Sequence, residues 1–169
     1  FLHRAYGPQL ILKHIPESPV VIDLGANAGF FSLFAFHIRP RAQVFSFEPM
    51  PVNFALLKQN WAMQKDRRWR TFHQAVSSRS GTAWLHGPSG NTPNTTASLS
   101  GNDSSVGMEK IEVQTRTIED ILATETSGKC DWLKIDVEGS EYDILYGLPD
   151  QVLRNIRTLA VEADPIDHQ

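Results

Sequence analysis

A single cysteine, Cys130, stands in the whole chain. It excludes an intramolecular disulfide and a zinc site built from several cysteines. It fits a reducing compartment, so the cytoplasm is the expected location. Cys130 precedes an apolar run and reads as a packing residue before it reads as a nucleophile. No apolar run approaches the ~20 residues of a membrane-spanning helix, no signal peptide is visible, and no membrane partner is expected. The first residue is Phe rather than Met, which leaves room for a natural N-terminus upstream.

Positive charge is also in short supply. Lys and Arg number 16 against 19 Asp and Glu, a net charge of −3. Without a global basic field, nucleic acid is not an expected partner. The one dense basic cluster, Lys65 to Arg70, reads as a solvated turn. The six histidines show no ligand spacing, and no metal site is expected from them. His73 and His86 lie nearest the site expected below and stand as candidates for substrate contact.

What is present is an ordinary globular composition, 41% hydrophobic and 21% charged, long enough for one domain over 1–169. After a lead-in over 1–19 with a short helix at 8–15, residues 20–24 form a continuous apolar strand. Residues 29–38 read as a buried helix, 42–47 as a second strand, and Pro51 as the first position of a helix with Phe54, Leu57 and Trp61 on one stripe. Residues 70–76 and 82–85 read as strands. From His86 to Gly107, 18 of 22 residues are Gly, Pro, Ser, Thr, Asn or Asp. That stretch is expected to be a long polar loop, either a cover for a polar substrate or a connector. It holds two sequons, Asn94-Thr-Thr96 and Asn102-Asp-Ser104, which matter only in a secreted protein. Residues 111–116 alternate like a strand, Thr117 to Asp120 opens a helix in the manner of a capping box, and 132–137 and 158–161 complete the strands. Ser140 is expected to cap the helix between them.

Strands alternating with helices predict an α/β fold, a mostly parallel twisted sheet with helices on both faces and a small antiparallel excursion in the middle. Ligands bind such sheets at the C-terminal strand ends, where the strand order reverses. Acidic residues stand at four of these ends: Asp23, Glu48, Asp136 with Glu138, and Glu162 with Asp164. Capping and turn chemistry account for Asp164. Asp23, Glu48 and Asp136 read as functional, because clustered carboxylates repel unless a ligand or function compensates.

The turn after the first strand, in "VVIDLGANAGFFS", has Gly25 and Gly29 for a tight course but Asn27 where a dinucleotide loop has its middle glycine. Asp23 suits an ammonium or sulfonium better than a pyrophosphate. Glu48, at the end of the second strand, suits a ribose. A cationic, ribose-bearing ligand describes S-adenosyl-L-methionine. Together with "FSFEPMPVNFALLKQN" and "WLKIDVEGSEYDIL", this segment resembles the FkbM-type methyltransferases, a class I S-adenosylmethionine-dependent family; "SSRSGTAWLH" and "TRTIEDIL" are similar to the family's middle portion.

The resemblance implies a Rossmann-like class I methyltransferase fold. It implies cofactor contacts from Asp23, Gly25, Ala26, Asn27, Gly29 and Phe30 around the methionine part, Glu48 at the ribose, and Pro49, Met50, Gln74 and Ala75 around the adenine. Lys134, Asp136, Glu138 and Gly139 match the K-I-D-x-E-G motif at the mouth of the methyl-transfer site. Asp136 and then Glu138 are the candidate bases, with backbone bonding in the E-G-S turn as the other reading of Glu138. Members of the class continue past the fifth core strand with a reversed hairpin, which this chain is expected to lack. The expected activity is methylation of a hydroxyl on a small molecule or glycan. A non-catalytic cofactor-binding domain, a nicotinamide-dependent oxidoreductase and a Mg²⁺-assisted variant using Asp136, Glu138, Glu162 and Asp164 remain open alternatives. The oligomeric state and the acceptor are not legible.

Overall fold

The structure is a computed structural model that describes residues 13–88, 108–137 and 139–162. Eight strands and five helices follow one another along these residues: β1 (Val20–Leu24), α1 (Phe30–Ile38), β2 (Gln43–Phe47), α2 (Pro51–Gln64), β3 (Trp69–Phe72), β4 (Ala75–Val76), β5 (Gly81–Pro88), β6 (Met108–Arg116), α3 (Ile118–Glu125), β7 (Trp132–Ile135), α4 (Glu141–Gly147), α5 (Asp150–Leu153) and β8 (Leu159–Val161). Most of the predicted helix at 8–15, the residues 89–107 of the polar stretch with its sequons, Glu138 and Asp164 lie outside the described residues.

Five strands form one parallel sheet in the order β3-β2-β1-β7-β8. The chain steps outward from β1 to β3, then returns to the other side of β1 with β7 and β8. The order therefore reverses between β1 and β7, the position beyond whose C-terminal strand ends such sheets bind ligands.

Alternation along each strand divides the core into two layers. Val21, Val44 and Trp132 face the layer that holds Phe31, Phe34 and Ala35 of α1 and Leu57 of α2. Ile22, Leu24, Phe45, Phe47, Leu133 and Ile135 face the other layer, with Ile118, Ile121 and Leu122 of α3, Ile144 of α4 and Val152 of α5. Helices thus cover both faces, as the strand-helix pattern predicts. Pro51 stands in the first turn of α2, with Leu57 fully buried. Thr117 caps α3 by accepting the Asp120 N–H on its side chain.

The middle of the chain departs from expectation in two places. The run 70–76 is not one strand. β3 ends at Phe72, and Ala75–Val76 pairs instead with Thr115–Arg116 in a second, three-stranded sheet, β4-β6-β5. His73 and Gln74 carry the chain from one sheet to the other. The β5–β6 pair is antiparallel and reaches Pro88, so His86 belongs to a strand, not to the polar loop, and its side chain is buried. Its residue composition resembles a loop, but cross-strand pairing with Lys110 decides its conformation. The second sheet packs Leu85 and Val113 on Met50, at the foot of α2.

Candidate functional site

The turn after β1 is shaped by backbone constraints at both glycines. Gly25 has φ +70°, and a Cβ there would lie 1.7 Å from the carbonyl oxygen of Asp136. Gly29 has φ +85°, and a Cβ would lie 2.6 Å from Leu57 Cδ1. Gly25 is therefore required by the protein's own packing, which brings the β1 turn against the backbone of the β7 turn, whereas Gly29 is favoured by its left-handed backbone beside the movable tip of Leu57. Gly25 and Ala26 donate their N–H groups to the Phe47 carbonyl, and Asn60 Nδ2 holds the Ala28 carbonyl at 2.7 Å.

Asn27, itself left-handed at φ +50°, donates its N–H to Glu48 Oε2 at 2.7 Å. Met50 N–H donates to Glu48 Oε1 at 2.8 Å, and the Asn53 side chain adds a third hydrogen bond. Glu48 is 4% exposed. Burial pushes its carboxyl up to about 7, against the pull of the two N–H donors, Asn53 and the Lys134 charge. Pro49 is half-buried, and its carbonyl meets His73 Nε2 at 3.0 Å, with the His73 ring stacked on Phe54. Met50 and Ala75 are buried and Gln74 is half-buried beside the crossing to the second sheet. Phe30 is 65% exposed at the start of α1.

Asp23, Ser46 and Lys134 lie side by side in register on β1, β2 and β7. Asp23 is fully buried; its Oδ2 accepts from Ser32 Oγ of α1 at 2.6 Å, and its Oδ1 has no hydrogen-bond partner. Lys134 Nζ stands 3.4 Å from that oxygen and 2.9 Å from Asp136 Oδ2. Ser32 Oγ and Ser46 Oγ are 2.7 Å apart, and Trp69 Nε1 donates to Ser46 Oγ at 2.7 Å. Asp136, just beyond β7, keeps part of its side chain exposed.

The structure therefore brings Asp23, Lys134 and Asp136 into one charged group and links Glu48 to the β1 turn through Asn27. Glu162 is exposed beyond the edge strand β8. Among the described residues no three His, Cys, Asp or Glu side chains gather in a metal-binding arrangement. Ser140 precedes α4 but makes no side-chain cap. The buried carboxylate of Glu141 instead holds the turn before the helix, accepting from Val137 N–H and Gly139 N–H, each at 2.9 Å.

Ser32, Ser46 and Glu141 were not legible as site residues. A signal existed for the first two: a lone serine in "FFSLF" and in "VFSF" is a polar atom inside an otherwise apolar, buried stretch, and such atoms need partners. Cys130 is buried, and burial pushes its thiol up to about 12, which leaves it inert as a nucleophile. Among the described residues no helix is long and apolar enough to cross a membrane.

Comparison with known proteins places this geometry among relatives. Residues 23–167 match the model of the Methyltransferase FkbM domain. The 31-O-demethyl-FK506 methyltransferase FkbM of Streptomyces tacrolimicus is 31% identical over 99% of this chain and 75% of its own length. The 2-O-methyltransferase NoeI of Sinorhizobium fredii is 31% identical over 76% of this chain, and the match spans 57% of the relative. Among solved structures, a methyltransferase FkbM from Methylobacillus flagellatus superposes with a TM-score of 0.60 at 18% identity, over 87% of this chain but only 33% of that one. That likeness speaks for the fold alone.

Proposed function

The chain belongs to the FkbM methyltransferase family, and we propose that it moves a methyl group from S-adenosyl-L-methionine to a hydroxyl of a small molecule or glycan. The observation that carries this reading is Glu48. It is a buried carboxylate at a parallel strand end, held by the N–H of Asn27 from the neighbouring turn. Accepting hydrogen bonds from a ribose diol would offset the cost of its ionisation.

When bound, the cofactor supplies an activated methyl group on a sulfonium. The residues of this chain supply placement. Glu48 would hold the ribose end, and residues 25–30 would line the methionine end. Asp23 is fully buried and serves as a counter-charge to Lys134 rather than as a ligand contact. Asp136, the exposed member of the charged group, would accept the proton of the acceptor hydroxyl as the carbon–oxygen bond forms and the carbon–sulfur bond breaks. Alignment of this kind contributes roughly 7–11 kcal/mol, and a placed base roughly 100–10,000-fold. Oxygen as the receiving atom is supported by the names of two relatives, a 31-O-demethyl-FK506 methyltransferase and a 2-O-methyltransferase. The chain spans only part of its relatives, so the acceptor is inferred at the level of chemical class.

The test is calorimetric titration with S-adenosylhomocysteine and with NAD, followed by transfer of labelled methyl to a library of hydroxyl acceptors. Binding of the first and not the second, with label on oxygen, is expected. Binding of NAD alone removes the reading. Cofactor binding without any transfer reduces it to a non-catalytic domain.

A further inference from the structure

Lys134 is a buried cation whose partners come from two separate turns. Its ammonium donates to the Gly25 carbonyl at 2.9 Å, in the turn after β1, and lies 2.9 Å from Asp136 Oδ2, in the turn after β7. The Leu24 carbonyl and Asp23 Oδ1 lie farther off, each at 3.4 Å. Behind it runs a line of hydrogen bonds with one possible direction. Trp69 N–H donates to Ser46 Oγ. Ser32 spends its proton on Asp23, so Ser46 must donate to Ser32. The line ends on the Asp23 carboxylate.

Trp69, Ser46, Ser32 and Asp23 are all buried at 1% or less exposure, so none of them touches a ligand in this conformation. Lys134 has 5% of its side chain exposed, whereas Asp136 has 28%. The group thus presents one working surface, Asp136, on a nearly fully buried support. Cooperative polarisation along such a line makes each member less free to turn.

We propose that Lys134 is a positioning residue: it fastens Asp136 to the carbonyl of Gly25, setting the proton acceptor at a fixed distance from the turn that would hold the methyl donor. The proposal rests on the methyltransferase reading and on Asp136 as proton acceptor. Displacing a reacting group by ~1 Å costs about 100-fold in rate. Lys134 acts on the rate through Asp136, and on neither binding step.

Removal of the ammonium alone would strand Asp23 as a buried, unpaired charge and endanger the fold. The test therefore pairs Asp23→Asn/Lys134→Met, which keeps the local charge balanced, with Lys134→Arg, which keeps the charge but moves the donors. For each, dissociation of S-adenosylhomocysteine is read by calorimetry, and kcat and KM are read with an accepted hydroxyl substrate. Expected are dissociation constants and KM within about threefold of wild type, with kcat lower by about 100-fold. A double variant with wild-type kcat overturns the proposal, since Lys134 would then be a counterion to Asp23 and nothing more. A folded double variant that no longer binds S-adenosylhomocysteine also overturns it, since Lys134 would belong to the cofactor pocket. Should the double variant not fold, Lys134→Arg decides by the same readings. A wild-type chain that binds no S-adenosylhomocysteine overturns both readings together, and is told apart because no variant is involved.

Discussion

The backbone N–H of Asn27 donates to the carboxylate of Glu48 across 2.7 Å, joining the turn after β1 to the end of β2. This bond and the matching one from Met50 stabilise an ionised carboxylate, yet burial outweighs them and holds the group up at about 7. An acid raised in the folded state above its ordinary 4.5 binds a proton on folding between those values. Its contribution to stability is complete below 4.5 and is lost as pH rises through 7. Between pH 5 and 8 the unliganded protein should lose about 3 kcal/mol relative to Glu48→Gln, by urea unfolding at each pH. Parallel curves for the two proteins would remove Glu48 as the source.

The same group makes cofactor binding pH-dependent in the opposite sense. Ribose hydroxyls donate to the ionised form, so binding S-adenosylhomocysteine should release a proton near neutrality. Affinity should rise roughly tenfold from pH 6 to 8, as the competent fraction grows. Titration in two buffers of different ionisation heat measures the proton count. A count of zero at pH 7 contradicts the assignment of Glu48 to the ribose.

Gly25→Ala should cost roughly 2–6 kcal/mol, from left-handed strain and from collision with the Asp136 carbonyl. Gly128 has a similar φ, +82°, but among the described residues no atom lies within 4 Å of where its Cβ would stand. Gly128→Ala should therefore cost only the backbone term, about 1–2 kcal/mol. Equal losses in chemical denaturation would mean that the contact with Asp136 is not what demands glycine at position 25.

Glu141→Gln should destabilise by about 1–3 kcal/mol. A Gln side chain offers one carbonyl oxygen where the Val137 and Gly139 N–H groups need two acceptors. Hydrogen exchange localises the effect: the amides of Val137 and Gly139 should lose protection while those of β1 keep theirs. Unchanged exchange at both amides would show that the carboxylate does not hold this turn.

Much of the parallel sheet was readable because its signals are local. Apolar strands at 20–24 and 132–135 and the Pro51 helix start each depend on residues near in sequence, and so does the Thr117 cap. The break between β3 and β4 is not local. It depends on Ala75 finding Thr115 rather than a neighbour in the first sheet, and no pattern within 70–76 announces that partner. His86 was hidden for the same reason. In the site, the acids at the strand ends were visible, but the direction of each side chain was not. Asp23 looks from sequence like a ligand-facing carboxylate. Strand alternation turns it under α1, where Ser32 and Lys134 meet it. Glu141 was hidden because its role is to bond backward to Val137 and Gly139 in the turn before its own helix, a partnership that no local capping pattern announces.

The separate pairing of β4, β5 and β6 has a consequence for how such a protein can vary. None of the three shares a ladder with β1, β2 or β7. Their hairpin can therefore gain or lose residues in pairs while the alternation of the five-stranded sheet, and with it the lateral alignment of Asp23, Ser46 and Lys134, stays in step. One part of the chain is free to diverge in length, and the other keeps its count.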